Sequence, residues 1–341
     1  MRILFWGNED ILASDEKTIY GRNGAHCEAQ QTLYLAKAFQ SIGYNIVISN
    51  PVRRIEQLKE LNVDTVFLNN YNNLQYMCAM FGTKKVVDKT FALMHRGDCD
   101  AINRQWLKEY TDLVGFTCKE ATDIWREQIG GPCFTQGFGF PDSWNTPPTQ
   151  QNPYKPNSKN IVHLGTVSCE DSYKLIRRLA KESPSVYFHI ISSFIVTGAN
   201  EIYLQGIPEP ELKHFLFPEE NIILHGPIRY GTYTHYLYYA DLGLSFSFDK
   251  QTAVRAKMWD YLAMGLPVIS ALENSPEGFL IRDTECGLFA NDHNEYADAV
   301  KKGLETTFPR DKAIKYMREN ESYIQVAKRW DTEIKKLWPS I

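Results

Sequence analysis

The sequence has no long uninterrupted apolar run, so no membrane span is read from it, and no secretory leader is read at its start. Peripheral contact with a membrane stays open, because aromatics and lysines supply it without a span. Cysteine is sparse: seven in 341 residues, an odd number, with no C-x-x-C pair. That points to reduced thiols in a cytoplasmic protein and offers no metal-ligand spacing. Charge of one sign is also lacking. The formal net charge is −4, which gives no overall attraction to a phosphate backbone. A nucleic-acid partner would need a local basic patch. No internal repeat rises above the general α/β pattern.

What is present is apolar and aromatic. Hydrophobic residues make up 43% and aromatics 13%, with 19 Tyr and 7 Trp. The length suits two domains of ordinary size, each with a core. Residues 145–156 are rich in Pro, Gln, Asn and Thr without periodicity, and they read as an interdomain linker.

The first half opens with a short strand, Ile3 to Trp6, then a polar loop reaching Gly24. A helix over about 28–42 and a strand over 44–49 complete a βαβ unit. The loop after its first strand belongs at the carboxyl edge of the sheet, where ligands bind, and Gly24 there lets backbone approach one closely. Strands follow at 65–68, 85–87, 91–94, 113–118 and 133–136. Between two of them lies His95-Arg96-Gly97-Asp98-Cys99-Asp100. An imidazole, a guanidinium and carboxylates just past a strand end suit acid/base chemistry. Asp98 is the candidate base for an acceptor hydroxyl, with His95 or Arg96 near a donor. Asp100 reads as the N-cap of a helix over 101–110.

The second half repeats the unit. A strand over 160–164 leads into Gly165-Thr166-Val167-Ser168 and a helix over about 172–182. Gly165, Thr166 and Ser168 are placed to donate hydrogen bonds to phosphate at a helix N-terminus. Strands follow at 186–192, 221–228 and 241–247. Residues 253–271 read as a helix, a Gly-Leu-Pro turn and a buried strand. Lys257 and Asp260 are three apart, so they share a helix face. A cation and an acid there suit a diphosphate and a ribose diol; a solvated ion pair explains the spacing equally well. Residues 280–289 read as a turn and short strand, and helices over 294–305 and 312–337 close the chain.

The order of "NIVHLGTVS", "NIILHGPI", "YYADLGLSFS" and "KMWDYLAMGLPVIS" resembles the C-terminal domain of a GT-B glycosyltransferase, in the style of the large family 4. "GRNGAHCEAQQTLYLAKAFQSIGYNIVIS" and "CFTQGFGFPDSWNTPP" fit the N-terminal domain, so the resemblance spans nearly the whole chain. It implies an α/β protein with two Rossmann-like domains facing a central cleft. Residues 1–148 would bind the acceptor and 149–321 a UDP- or GDP-sugar, with 322–341 packing back on the first domain. In that frame Asp260 meets the ribose, Lys257 the diphosphate, and the backbone at Ile228 the base. No metal is implied, since basic side chains and helix dipoles take the leaving-group charge.

The sequence departs from the family pattern in two places. The first carboxylate of a Glu-x7-Glu pair is Thr252, and the usual Arg and Lys after the first glycine are Thr166 and, approximately, Asp171. Arg255 is the cation left to compensate. These departures leave retaining and inverting chemistry both open, and a non-catalytic nucleotide- or sugar-binding scaffold also stays open. "TLYLAKAFQSIGYNIVIS" and "VRAKMWDYLAM" also resemble phage β-glucosyltransferases that modify DNA. The acidic balance and scattered basic residues of the first half weigh against a DNA acceptor.

Overall fold

A computed structural model describes residues 1–6, 25–49, 55–69, 87–94, 101–144, 146–198, 200–204, 206–246, 255–271, 273 and 276–339. The first half contains β1 (Arg2–Trp6), α1 (Ala25–Ser41), β2 (Asn45–Ser49), α2 (Ile55–Leu61), β3 (Thr65–Asn69), β4 (Lys89–Met94), α3 (Ala101–Tyr110), β5 (Leu113–Phe116), α4 (Lys119–Ile129) and β6 (Cys133–Thr135). Its six strands are all parallel, in the order β2-β1-β3-β4-β5-β6. Most of these strands are apolar on both faces, because each face is covered. Ile3, Phe5, Phe67, Phe91 and Phe134 face one layer, and Leu4, Trp6, Val66, Leu68 and Met94 face the other.

The second half contains β7 (Lys159–Leu164), α5 (Glu170–Glu182), β8 (Val186–Ile191), β9 (Phe194–Thr197), β10 (Asn200–Tyr203), α6 (Pro210–Leu216), β11 (Ile222–Leu224) and α7 (Thr234–Tyr239). It continues with β12 (Leu242–Ser245), α8 (Ala256–Ala263), β13 (Val268–Ala271), α9 (Pro276–Thr284), β14 (Gly287–Ala290), α10 (His293–Glu305), α11 (Arg310–Asn320) and α12 (Tyr323–Leu337). Its main sheet is parallel, in the order β11-β8-β7-β12-β13-β14, with β9 and β10 as a separate antiparallel pair. Both sheets therefore reverse their strand order beside their first strand, at β1/β3 and at β7/β12. In open parallel sheets the crevice outside such a reversal is where ligands bind.

The helices α2, α4 and α6 and the β9/β10 pair are not read from the sequence, and other expectations differ at single elements. The expected strand at 85–87 reaches the described residues only at Val87, which precedes β4 in a bend. Where the sequence reading has a turn and short strand over 280–289, a helix spans 276–284 and the strand follows at 287–290. Pro276 occupies the first helical position, where its fixed φ is suited, and Leu280, Ile281 and Thr284 turn inward together.

The long closing helix is two helices, broken at Glu321 and Ser322. The break has a tertiary cause. The Tyr323 N–H donates to the Phe140 carbonyl at 3.0 Å, and the Ile324 N–H to Asp142 Oδ2 at 3.1 Å. First-half groups thus satisfy amides at the start of α12 that an unbroken helix would pair internally.

Helix α12 lies against the first sheet. Trp330 is fully buried between Phe67, Phe91 and Phe134, and its indole N–H donates to Gln136 Oε1 at 2.5 Å. Gly115 makes room for it: a Cβ there would stand 2.5 Å from the indole ring. Arg329 donates to the Gln136 carbonyl at 2.7 Å, and the Tyr44 hydroxyl donates to Asp331 at 2.7 Å. The stretch between the halves is also anchored: Trp144 and Tyr154 are buried, and the Tyr154 hydroxyl donates to the Tyr236 carbonyl at 2.7 Å.

Trp330→Ala should cost about 3–5 kcal/mol, the usual range for deleting a buried large aromatic. Chemical denaturation would show it as a lower midpoint; an unchanged midpoint would mean α12 does not stabilise the first sheet.

Candidate functional site

The site is built where β7 and β12 part. The two strands pair only as far as Val162 and Gly243. Beyond that register the Leu164 N–H donates instead to the Tyr261 hydroxyl at 2.7 Å, and that hydroxyl donates to the Leu244 carbonyl at 3.3 Å. One side-chain oxygen from α8 therefore replaces the ladder between two diverging strand ends. Gly243 is required beneath the ring, since a Cβ there would lie 2.9 Å from it.

Around this opening α8 presents its charged residues. Arg255 is the N-cap residue, with extended backbone, and Lys257 lies in the first turn. Gly165 follows β7 with φ +93°, a conformation suited to glycine. A Cβ built on it would be 3.8 Å from both Cε and Nζ of Lys257. The structure thus brings Lys257 to Gly165. The Gly165 amide does not face outward for a phosphate, because it donates to the Ile191 carbonyl at 2.9 Å. Thr166 and Ser168 are exposed beside it. The first turn of α5 carries Glu170 and Asp171, which oppose an anion there. The positive charge at the opening comes instead from Lys257 and Arg255.

His163 lies near the end of β7, shortly before Gly165. Its ring is buried, stacks on Phe246 with centroids 5.1 Å apart, and has Nε2 3.4 Å from the Thr166 carbonyl. Burial holds its pKa well below the ordinary value, and the charges of Lys257 and, less, Arg255 push the same way. It is a neutral imidazole under the site.

Two carboxylates complete the arrangement. Asp260 is 4% exposed, and its Oδ2 accepts from the Tyr233 hydroxyl at 2.8 Å. Burial raises its pKa from 3.8 to about 7, against the opposing pull of Tyr233 and Lys257. Glu277, in the first turn of α9, is also buried. Its Oε2 accepts from Ser245 at 2.9 Å and from Ser270 at 2.5 Å, and its Oε1 is 4.0 Å from Arg255 Nε. Sequence reading missed Glu277. The signal was there: two serines at the carboxyl ends of otherwise apolar buried strands require a buried partner.

The turn after β11 brings Tyr233 to Asp260. Gly226 has φ +69°, and a Cβ on it would stand 2.0 Å from the Gly206 carbonyl oxygen, so backbone packs on backbone there. Ile228, half-buried, follows in the same turn. Gly24, His95 and Asp98 lie outside the described residues. No group of three or more His, Cys, Asp or Glu residues is placed to hold a metal among the described residues.

No protein-family model matches the chain, and no curated protein matches its sequence. Solved structures do match. Sucrose-phosphate synthase from Thermosynechococcus elongatus aligns with TM-score 0.76 at 11% identity, over 100% of both chains. A glycosyltransferase from Rickettsia africae aligns with TM-score 0.67 at 13% identity, over 99% of both. An alpha,alpha-trehalose-phosphate synthase (UDP-forming) from Burkholderia vietnamiensis aligns with TM-score 0.60 at 10% identity, over 98% of both. At these identities the likeness is one of fold. The chain has the GT-B glycosyltransferase fold, with two Rossmann-like domains.

The raised pKa of Asp260 makes a pH prediction. The unfolded chain releases this proton near pH 4 and the folded protein near pH 7. Between those values the folded state binds more protons, so this group lowers stability as pH rises from about 4 to 7, and the effect then levels off. Asp260→Asn keeps an acceptor for Tyr233 and removes the titration. Its melting temperature relative to the parent should climb from pH 4.5 to pH 8, by the equivalent of up to about 4 kcal/mol. A pH-independent difference would show that Asp260 titrates normally.

Proposed function

We propose that the protein is a glycosyltransferase that moves a sugar from a nucleoside-diphosphate sugar to a hydroxyl of a saccharide, lipid-linked or small-molecule acceptor, without a metal ion. The observation carrying this is Lys257 beside Gly165 at the β7/β12 opening of a GT-B fold, with Arg255 at the start of the same helix and Asp260 buried on it. Two cations at the start of one helix suit the two phosphates of such a donor. They would also stabilise the charge that develops on the departing diphosphate, as a preorganised cation does. Asp260 suits the ribose diol, whose hydroxyls would donate to its carboxylate in place of Tyr233. The base would lie against the Gly226–Ile228 turn, beside that same tyrosine.

UDP is the favoured nucleotide, because a UDP-forming enzyme is among the solved structures of this fold that the chain resembles. A saccharide or small molecule is favoured over DNA as acceptor, because a net charge of −4 supplies no general field for a duplex. Asp98 remains the proposed base for the acceptor hydroxyl, with His95 beside the donor. That assignment rests on their place after a strand end in the sequence.

Saturating UDP-sugar should raise the melting temperature. At about 100 times Kd the stabilisation is ~2.7 kcal/mol, a rise of about 5–10 °C for domains of this size. Lys257→Ala should weaken UDP binding about tenfold or more, and Asp260→Ala should weaken uridine and UDP alike. A screen in which UDP-, GDP- and ADP-sugars all leave the melting temperature unchanged would overturn the proposal. UDP binding without turnover toward any acceptor, unaffected by Asp98→Ala, would instead identify a binding protein on the same fold.

A further inference from the structure

We infer that Glu277 is a positioning residue that turns Arg255 onto the second phosphate of the donor. The inference rests on the donor reading above and deepens it. Glu277 is held from two sides. Ser245 ends β12 and Ser270 lies near the end of β13, and both hydroxyls donate to the same carboxylate oxygen, Oε2. Both serines are fully buried, and the Tyr296 hydroxyl, bonded to the carbonyls of Ser245 and Ile269, fixes the strand ends that carry them. The carboxylate therefore has little freedom to rotate. Its other oxygen, Oε1, faces the Arg255 guanidinium at 4.0 Å.

Arg255 is where this matters. It stands immediately before α8, on the extended residue that starts the helix, and a quarter of its side chain remains accessible. An arginine at such a position has several rotatable bonds and loses entropy when it fixes a ligand. A buried carboxylate at a set place reduces that loss by holding the guanidinium beforehand, and a guanidinium is suited to the paired oxygens of a phosphate. Lys257 already stands at Gly165, one turn end away, and both cations act on His163. A nucleoside monophosphate would need only one of them. The second phosphate of a diphosphate is what gives Arg255 a partner, and Glu277 acts through Arg255 without touching the nucleotide.

The test compares UDP with UMP, with GDP and GMP in parallel, by calorimetric titration of the full-length protein. Glu277→Gln keeps an acceptor oxygen for the two serines while removing the charge that holds Arg255. It should weaken UDP about tenfold and leave UMP within about twofold, and Arg255→Ala should do the same. The double variant should be no weaker for UDP than Arg255→Ala alone, because Glu277 then has nothing to position. A loss that is equal for UDP and UMP, or additive in the double variant, would mean that Glu277 serves the fold alone and would overturn the inference. Unchanged UDP binding in Glu277→Gln would overturn it too. If the parent protein itself does not prefer UDP to UMP, or GDP to GMP, the donor reading falls and takes the inference with it. If Glu277→Gln lowers the melting temperature substantially, Ser270→Ala provides a second route, since it loosens the same carboxylate and should lower the UDP-to-UMP preference in the same direction.

Discussion

The hydroxyl of Tyr261 is the point on which the second domain's site depends. Two parallel strands that diverge leave peptide groups without ladder partners, and a buried unpaired peptide group is costly. Tyr261 accepts from one strand end and donates to the other. The strands can therefore open at the sheet's reversal without leaving those groups unpaired. The same ring lies over Gly243 and belongs to the helix that carries Arg255, Lys257 and Asp260. The crevice and the side chains around it are thus set by one packed residue.

The charges around that crevice are arranged unequally. His163 is neutral because burial and two nearby cations disfavour its protonated form. Burial raises the pKa of Asp260, outweighing its tyrosine and lysine neighbours. Lys257 and Arg255 therefore act in a setting where burial disfavours the charged form of one of the two nearby carboxylates. That is a favourable setting for a dianionic group, and a ligand that donated hydroxyls to Asp260 would favour its charged form in turn.

The two domains meet across aromatic side chains as well as through the stretch that joins them. Tyr34 on α1 stacks on Tyr323 of α12 and approaches Tyr230, which packs on Trp144; Trp144 also meets Tyr233, the residue that holds Asp260. A second contact runs through Trp259, whose indole donates to Glu321 Oε2 at 2.9 Å. Glu321 sits against Gly137 of the first domain, where a Cβ would come within 2.5 Å of that same oxygen. Residues flanking Lys257 and Asp260 on α8 are therefore packed against the seam between the domains.

The periodic features were legible in the sequence because they are local. Apolar runs bounded by glycine and proline gave the parallel strands, and the 253–271 stretch gave a helix, a turn and a strand with Lys257 and Asp260 on it. The reading failed in taking a turn from residue 280, since 280–284 belong to α9, which forms because Leu280 and Ile281 are buried against neighbouring elements. It also failed at Glu321, since the donors that begin α12 find acceptors about 180 residues earlier, at Phe140 and Asp142. Glu277 escaped for a similar reason: its partners Ser245 and Ser270 come from two other elements, and only pairing of β12 with β13 makes them neighbours. By itself, then, the sequence determined most of the parallel strands, the α/β class and the helix bearing the site, all of which follow from spacing along the chain. The tertiary structure decided which polar groups meet, which helix breaks and which carboxylate is buried, because those depend on desolvation and on partners distant in sequence.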